Sequence, residues 1–268
     1  KKVVFLLFTV LIFQPAYPQV NSGQTLTDTL KPDYRNHTNI PEYNPALMPL
    51  DRQTAGTGIW TELNPKVPRV DYLGIHFINK DTGWAVGAQG VILKSTDGGE
   101  GWQNILSPVT TVLTNVHSFN GQVVLAVGYD GIIIRSDDSG INWQQATSGV
   151  TGDLWRVQMI NDTLGWACGL GPSLLKTTDA GLAWNPVNTG FASFQYWSLD
   201  FYNEDIGYIA GGYGNILKTT NAGNTWQHLD ISLINEYSFY SIDVVTPSRI
   251  FAGSFGRIVY TTNAGNTW

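Results

Sequence analysis

Ser95-Thr96-Asp97-Gly98-Gly99-Glu100-Gly101-Trp102 is a polar stretch that ends in tryptophan, and the rest of the chain repeats around it. Four later copies keep the hydroxyl, the acid or amide, the glycine and the tryptophan in the same places; they span 136–143, 177–184, 219–226 and 261–268. From Asp97 onward, the matching residues of successive copies are 41, 41, 42 and 42 residues apart. A regular spacing of this size indicates a repeat architecture.

Each copy of the stretch predicts a tight turn. Its Asp or Asn can accept hydrogen bonds from N–H groups one or two residues ahead, and the Ser or Thr two positions earlier can add another local bond. The glycine supplies a backbone angle that a β-carbon would hinder, and the tryptophan begins the next strand. We interpret these residues as structural: Asp97 and Trp102, Asp138 and Trp143, Asp179 and Trp184, Asn221 and Trp226, Asn263 and Trp268. Because Asn lacks the charge that calcium binding or catalysis uses, the series predicts no metal and no cofactor.

Four short strand-like pieces lie in each repeat, separated by turns rich in Gly and Asn. In the first repeat they are the alternating Leu73–Phe77, the small apolar Gly83–Gly87, the aliphatic Val91–Lys94, and a piece that begins at Trp102. No window favours a helix. Four short strands repeated at this period predict one blade of a β-propeller. The predicted fold is therefore all-β, a propeller of four-stranded antiparallel blades.

The segment before the repeats has two predicted parts. Residues 1–19 combine a basic start with the short apolar run Val3–Phe13, which is the layout of a secretory signal peptide and too short to span a bilayer. We therefore expect export to the periplasm, the cell surface or the medium, with no transmembrane segment. Residues 20–57 form a polar, proline-containing leader.

The predicted propeller covers residues 58–268. A lone closing strand occupies 58–66, and the blades span about 70–108, 112–148, 153–188, 196–231 and 238–268. Five repeats that stop at Trp268 suggest a truncated part of a six- to seven-bladed ring. Alternatively, residues 59–63 complete the fifth blade of a five-bladed ring.

Composition narrows the possible partners. The chain of 268 residues has 29 Gly, 10 Trp and 12 Tyr, which suits short strands and tight turns. A net charge of −6 without a basic stripe argues against nucleic acid and anionic membranes. The single cysteine, Cys168, lies in an apolar run and is predicted to be a small buried side chain. The remaining partners are a protein or a polysaccharide, and the oligomeric state is left open.

Alignment of the repeats singles out two positions on the first strand. One holds Leu73, Thr114, Trp155, Trp197 and Tyr240. Its aromatic members, Trp155, Trp197 and Tyr240, predict a platform for sugar rings or a peptide, with packing between blades as the alternative.

The second position, three residues later, holds His76, His117, Gln158, Asp200 and Asp243. We predict that His76, His117, Asp200 and Asp243 line a central channel and bind a polar ligand or a metal; the alternatives are a hydrogen-bond network between blades and a water-filled channel. A third series, Lys94, Arg135, Lys176 and Lys218, precedes the turns and is expected to form a solvated ring.

The recurring turn resembles the Asp-box, or bacterial neuraminidase repeat, S/T-x-D-x-G-x-x-W. The wider unit, Gly83–Gly87 followed by Gly90–Gly99, resembles the propeller family of photosystem II assembly and stability factors. This resemblance covers residues 58–268. It implies a propeller whose boxes lie on the face away from the ligand, and it implies assembly or binding work.

Two functions follow. The first is an exported, non-catalytic propeller that binds a protein or a glycan, and the second is a glycoside hydrolase of the sialidase or xyloglucanase kind. A sialidase needs an arginine triad and a Tyr activated by Glu, and no such set is recognisable. Four acids lie in candidate ligand-face loops, but nothing in the sequence pairs them: Asp71, Asp130, Asp153 and Glu236. No catalytic residue is predicted.

Overall fold

The structure is a computed structural model that describes residues 67–171, 173–191, 195–229, 231, 238–254 and 256–268. The predicted signal peptide, the leader and the closing strand at 58–66 lie outside these residues. Within the described part of the chain, no helix has the length and apolar character needed to cross a membrane.

The described residues form five antiparallel sheets. Blade one contains β1 (Tyr72–Phe77), β2 (Gly83–Gly87), β3 (Ile92–Ser95) and β4 (Gln103–Ile105). Blade two contains β5 (Leu113–His117), β6 (Val124–Gly128), β7 (Ile133–Ser136) and β8 (Gln144–Ala146). Blade three contains β9 (Leu154–Met159), β10 (Gly165–Gly169), β11 (Leu174–Thr177) and β12 (Asn185–Pro186). Blade four contains β13 (Tyr196–Phe201), β14 (Gly207–Gly211), β15 (Ile216–Thr219) and β16 (Gln227–Leu229). Blade five contains β17 (Phe239–Val244), β18 (Ile250–Ser254) and β19 (Arg257–Thr261).

Strands that follow each other in the chain are neighbours in every sheet, so each blade is a simple meander. The innermost strands of successive blades contact one another. This arrangement confirms the prediction of an all-β propeller with antiparallel blades. Helical structure in the described residues is limited to three short 3-10 turns, at Ala88–Gly90, Tyr129–Gly131 and Gly212–Gly214.

The fourth strands begin one residue later than expected, directly after the box tryptophan. The tryptophan side chain packs between blades instead of opening the strand. In blade two, Trp143 joins the buried cluster that contains Trp84 and Ile92 of blade one. In blade three, Trp184 packs in the same way with Leu125 of blade two.

The apolar core lies between successive blades. All residues of β2, β6, β10 and β14 are buried, because blades or strands cover both of their faces. Cys168 belongs to β10 and is buried, and burial raises the pKa of its thiol, as expected for an inert side chain.

The blades have two distinct faces. On the box face, each Asp-box turn joins the third strand to the fourth and bonds the loop between the first two strands: Ser139 N donates to Gln122 O at 2.9 Å, and Ala180 N to Thr163 O at 2.9 Å. The opposite end of each blade carries the turn between the second and third strands and the start of the innermost strand. We call this end the bulge face.

Candidate functional site

Every innermost strand contains a β-bulge near its start. In blade four, Tyr196 pairs with Gly211 and Ser198 pairs with Ala210, so Trp197 has no pairing partner. The skipped residues in the five blades are Leu73, Thr114, Trp155, Trp197 and Tyr240. They are the same five residues that alignment of the repeats made equivalent. A bulge changes the direction of a side chain relative to the sheet, so this position is not constrained by strand pairing.

The aromatic side chains at the bulges form a continuous row, which we call the aromatic ladder. The rings of Trp155 and Trp197 have centroids 5.3 Å apart with a tilt of 39°, and those of Trp197 and Tyr240 lie 5.4 Å apart with a tilt of 45°. Tyr129 extends the row, with its ring edge-on to Trp155 at 5.5 Å. Each of the four side chains is half-buried. The rings therefore pack between blades and also keep an exposed part on the bulge face.

The other two bulge residues differ. Thr114 is buried, and its hydroxyl donates to Leu154 O of the next blade at 2.6 Å. Leu73 is exposed over 40% of its surface. Alignment of the repeats did not identify Tyr129, because this residue lies in the turn between β6 and β7 and not at the bulge position. Ligand binding by the ladder stays a prediction at this point.

The polar position links neighbouring blades. Met159 N donates to His117 Nδ1 at 3.1 Å, and Phe201 N donates to Gln158 Oε1 at 2.8 Å. Val244 N donates to Asp200 Oδ2 at 2.6 Å. In each pair, the side chain of one blade accepts from the backbone of the next. This geometry is the inter-blade hydrogen-bond network that was the alternative to ligand binding, and binding by His76, His117, Asp200 and Asp243 stays a prediction.

Two histidines meet where blades one and two join. The ring of His76 lies 4.2 Å from that of His117, and its Nε2 lies 2.8 Å from Ser118 O, to which it donates. Burial lowers the pKa of His76. Burial, with the nearby His76 and Arg156, holds the pKa of His117 well below its usual range. Both rings are therefore neutral at pH 7, and His117 Nδ1 is free to accept the Met159 N–H.

Asp200 has an unusual pKa but no free oxygen. Burial raises the pKa of its carboxyl to about 6, against the opposing effect of the Val244 N–H bond, and the charge of Asp243 adds to the rise. Gln158 Nε2 donates to the second oxygen, Oδ1, at 2.8 Å. Both oxygens thus hold neighbouring elements in place. Asp243 is exposed.

A cavity of about 530 Å³ opens on the box face beside the polar position. His117 and Gln158 contribute to its wall, together with Phe119, Tyr202 and Glu204 from the loops that follow the innermost strands. No three His, Cys, Asp or Glu side chains in the described part of the chain converge to hold a metal ion. The cavity wall combines aromatic, imidazole, amide and carboxylate groups.

The Asp-box turn differs in one respect from the sequence prediction. In blade two, Ser136 Oγ donates to Asp138 Oδ1 at 2.8 Å and accepts from Gly140 N at 2.8 Å. The carboxylate accepts from Asn142 N, four residues ahead, instead of one or two. The reason is that Ser139 and Gly140 both have positive φ, 63° and 79°, which turns the chain back over the carboxylate. The bonds from Asn142 and Ser136 lower the pKa of Asp138 to about 2.

Asparagine performs the same task in the later boxes. Asn221 Oδ1 accepts from Thr225 N at 3.0 Å, and Asn221 Nδ2 donates to Thr225 Oγ1 at 2.8 Å. Asn263 makes the same two contacts with Thr267. The turn therefore needs an acceptor oxygen and does not need a charge.

For three of the four cations, Arg135, Lys176 and Lys218, the expected solvated ring is wrong. Arg135 Nε donates to Ala180 O at 2.9 Å, Lys176 Nζ to Ala222 O at 2.9 Å, and Lys218 Nζ to Ala264 O at 3.1 Å. Each cation of one blade thus bonds the box turn of the next, and Lys176 also lies 4.8 Å from the centre of the Trp166 ring. In blade two, the equivalent carbonyl, Ser139 O, accepts from the Trp84 indole at 3.1 Å. The box turn is therefore part of a joint between blades.

A family profile described as photosynthesis system II assembly factor YCF48 matches residues 53–149 and 145–268, which together are more than half of the chain. The chain belongs to the YCF48 family. A comparison with curated protein sequences found no match. The residues that match the YCF48 family include all five repeats and their box turns, in agreement with the resemblance drawn from the sequence.

Solved structures similar to this YCF48-family chain are also propellers. A GH74 xyloglucanase from Xanthomonas campestris has a TM-score of 0.60 and 16% identity, and the match covers 74% of this chain and 38% of that one. The WD40 propeller of Doa1 has a TM-score of 0.58 and 14% identity, with 73% and 66% covered. A YCF48 bound to a D1 peptide has a TM-score of 0.40 and 16% identity, with 72% and 93% covered. Identities this low bear on the fold alone.

Proposed function

We propose that this YCF48-family chain is a non-catalytic scaffold whose aromatic ladder binds an extended segment of a partner protein. The observation that carries the proposal is the ladder: the rings at three bulge positions form one half-buried row across neighbouring blades. Aromatic side chains combine a large contact area with little conformational freedom to lose on binding. The description of the family as an assembly factor favours a protein partner.

The ring geometry supports a peptide as the ligand. Adjacent rings are tilted by 39° and 45°, so they form shallow clefts between them and not one flat platform. Aromatic-lined grooves of this kind are a recurring way to bind extended, proline-containing peptides, which are already close to their bound conformation. Because the centroids lie only 5.3 and 5.4 Å apart, neighbouring rings contact each other, and a proline or another ring side chain would pack on their exposed parts.

Hydrolysis has weaker support. Asp200 has a raised pKa, but Gln158 and Val244 occupy its two oxygens. Asp153 is buried and accepts from Asp130 N at 3.0 Å, which stabilises a turn on the bulge face. Glu236, another acid considered from the sequence, lies outside the described residues. A general acid must reach the glycosidic oxygen. The hydrogen bonds of Asp200 and Asp153 instead hold their carboxyl groups against neighbouring parts of the fold.

We also propose that the protein is exported. The basic Lys1-Lys2 and the apolar run that follows support a secretory signal at residues 1–19. Cell fractionation of the expressed chain should recover a product shortened at its N-terminus outside the cytoplasm. Recovery of the full-length chain in the cytoplasm would contradict this part of the proposal.

Titration of the full chain, followed by tryptophan fluorescence and by calorimetry, tests the binding function. The probes are acetyl-hexaproline-amide and xyloglucan heptasaccharide. Trp197→Ala should weaken peptide binding about tenfold or more, because truncating a central aromatic contact costs more than 1 kcal/mol. The matched control is Tyr202→Ala, an aromatic side chain that is 48% exposed on the box face. Its affinity for the peptide should equal that of the wild type.

Two results would contradict the proposal. One is binding of the heptasaccharide, and not of the peptide, that is lost in Trp197→Ala. The other is turnover of a β-glucan or a sialoside that a single Asp or Glu substitution abolishes.

A further inference from the structure

The turns between the second and third strands all contain a left-handed residue. The turn is closed by the same bond in four blades, for example Gly211 N to Asn215 O at 2.9 Å and Gly128 N to Ile132 O at 3.0 Å. The equivalent central residues are Gln89, Asp130, Gly171 and Tyr213, with φ of 60°, 57°, 68° and 57°. In blades one, two and four a second left-handed residue follows, Gly90, Gly131 or Gly214, so three turns of one geometry hold three different central residue types.

Tyr213 is the residue that suits this backbone least. A bulky side chain in the left-handed region is a steric outlier, whereas glycine has no such cost. The tyrosine is 73% exposed, so burial does not offset the cost. Gly171 fills the equivalent place in blade three without this steric cost. Gln89 and Asp130 share the backbone strain, but only Tyr213 keeps an exposed aromatic ring there, on the face that carries the ladder, which indicates a contact with a ligand.

The surroundings hold the Tyr213 turn in place. Asn215 Nδ2 donates to Gly212 O at 2.6 Å and to Tyr213 O at 3.2 Å. The exposed His228, on the outer strand β16, lies with Nε2 2.5 Å from Asn215 Oδ1. The Phe191 ring lies 5.9 Å from the ring of His228. Aromatic and amide groups therefore continue outward from the turn to the rim of blade four.

We propose that Tyr213 contacts the ligand and that the bound peptide crosses blade four, from Trp197 on the innermost strand to His228 and Phe191 at the rim. The inference rests on the proposed function of the ladder. The first and fourth strands of a blade are about 14 Å apart, at about 4.8 Å per strand. A polyproline chain advances about 3.1 Å per residue, so about five residues span the blade. A peptide of three residues spans about 9 Å, so one that binds the ladder does not cross the blade.

The test compares acetyl-hexaproline-amide with acetyl-triproline-amide, on the full chain, by calorimetric titration. Tyr213→Gly should weaken hexaproline binding about tenfold, leave triproline binding unchanged, and keep or slightly raise the Tm. Tyr213→Phe keeps the ring and should retain most of the affinity. The matched control is Gln89→Gly, which makes the same backbone change in blade one and should leave both affinities unchanged.

The outcomes separate this inference from the proposed function. If Tyr213→Gly binds hexaproline as the wild type does, while Trp197→Ala binds it weakly, the inference is overturned and the ladder proposal stands. If Trp197→Ala also binds as the wild type does, or if hexaproline does not bind, both are overturned. If Gln89→Gly weakens binding as much as Tyr213→Gly, the effect comes from the backbone and the role of Tyr213 is overturned.

Discussion

His117 is a half-buried side chain that works as a fixed hydrogen-bond acceptor because it is neutral. Its Nδ1 accepts from Met159 N, and Gln158 uses its Oε1 for the same bond one blade later. A histidine whose pKa is lowered by folding adds stability above its unfolded pKa of about 6.5, and this stability is lost as the pH falls below that value. The raised pKa of Asp200 has the opposite effect on stability. It stabilises the folded state at low pH, and this stabilisation is lost as the pH rises from about 4 to about 6.

We expect His117→Gln to reduce the acid sensitivity of the fold. Glutamine supplies the same acceptor without a titrating ring, so stability at about pH 7.5 should stay within about 1 kcal/mol of the wild type. Between about pH 7.5 and 5.5 the variant should lose less stability than the wild type. The charged or titrating groups that face this position, His76 and Arg156, are present in both proteins. Urea midpoints at the two pH values measure this. An equal loss in both proteins would contradict the assignment.

Neighbouring residues in the fourth box should respond oppositely to substitution. Ala222 and Gly223 both have positive φ, 57° and 77°, but a β-carbon on Gly223 would overlap the Trp166 ring of blade three. Gly223→Ala should cost about 2–4 kcal/mol, from the left-handed backbone and from overpacking. Ala222→Gly should be neutral or stabilise by up to about 1 kcal/mol. Urea denaturation decides, and equal effects of the two changes would refute the role of the Trp166 contact.

At the scale of the element, the Asp-box turn holds two blades together. In the fourth box, local bonds of Thr219 and Asn221 shape the turn, Lys176 of the preceding blade bonds the Ala222 carbonyl, and the Trp166 ring of that blade covers Gly223. The turn is therefore formed within one blade and anchored by another.

Substitution of Lys176 should show how much this contact between blades contributes to the free energy of unfolding. Lys176→Met deletes the bond to Ala222 O and the contact with the Trp166 ring. We expect a loss of about 1–2 kcal/mol, since hydrogen bonds to charged groups and cation–π contacts contribute on this scale. The control is Lys94→Met, where Trp84 already bonds the equivalent carbonyl, and its cost should be below about 0.5 kcal/mol. Equal costs would show that the bond to the next box contributes nothing specific.

At the scale of the molecule, residues 67–268 as described form a row of blades, and each blade packs mainly against its neighbours. Each apolar cluster contains residues from two adjacent blades. The second strands of blades one to four lie among these clusters and are the most deeply buried. The fourth strands instead expose most of their residues. Stability in such an architecture is close to a sum of blade and interface contributions.

Hydrogen exchange should follow this layering. Amides of β2, β6, β10 and β14 should exchange slowest, because all of their residues are buried. Amides of β4, β8, β12 and β16 should exchange fastest among the strands, and those of β18, which is only partly buried, should fall between. Mass spectrometry of peptic fragments resolves these groups. Protection of the fourth strands equal to that of the second strands would contradict the expected order.

The repeat period was enough to predict the propeller, because a turn with fixed residues at fixed intervals leaves few other all-β arrangements. Alignment of the repeats also brought Trp155, Trp197 and Tyr240 to one position. It did not predict the bulges, since an extra residue in a strand leaves little mark on the alternation of side chains. The bonds from Arg135 and Lys176 were missed because their partners lie 45 and 46 residues away, in the next repeat.

The bulge of each innermost strand places one side chain outside the pairing register of the sheet. The neighbouring residues hold the sheet register, so the bulged side chain can be exchanged without altering which strands pair. The chain already carries leucine, tryptophan and tyrosine there, on one backbone geometry. A protein engineer could thus vary Leu73, Trp155, Trp197 and Tyr240 as a small combinatorial library and select new binding partners on an unchanged scaffold.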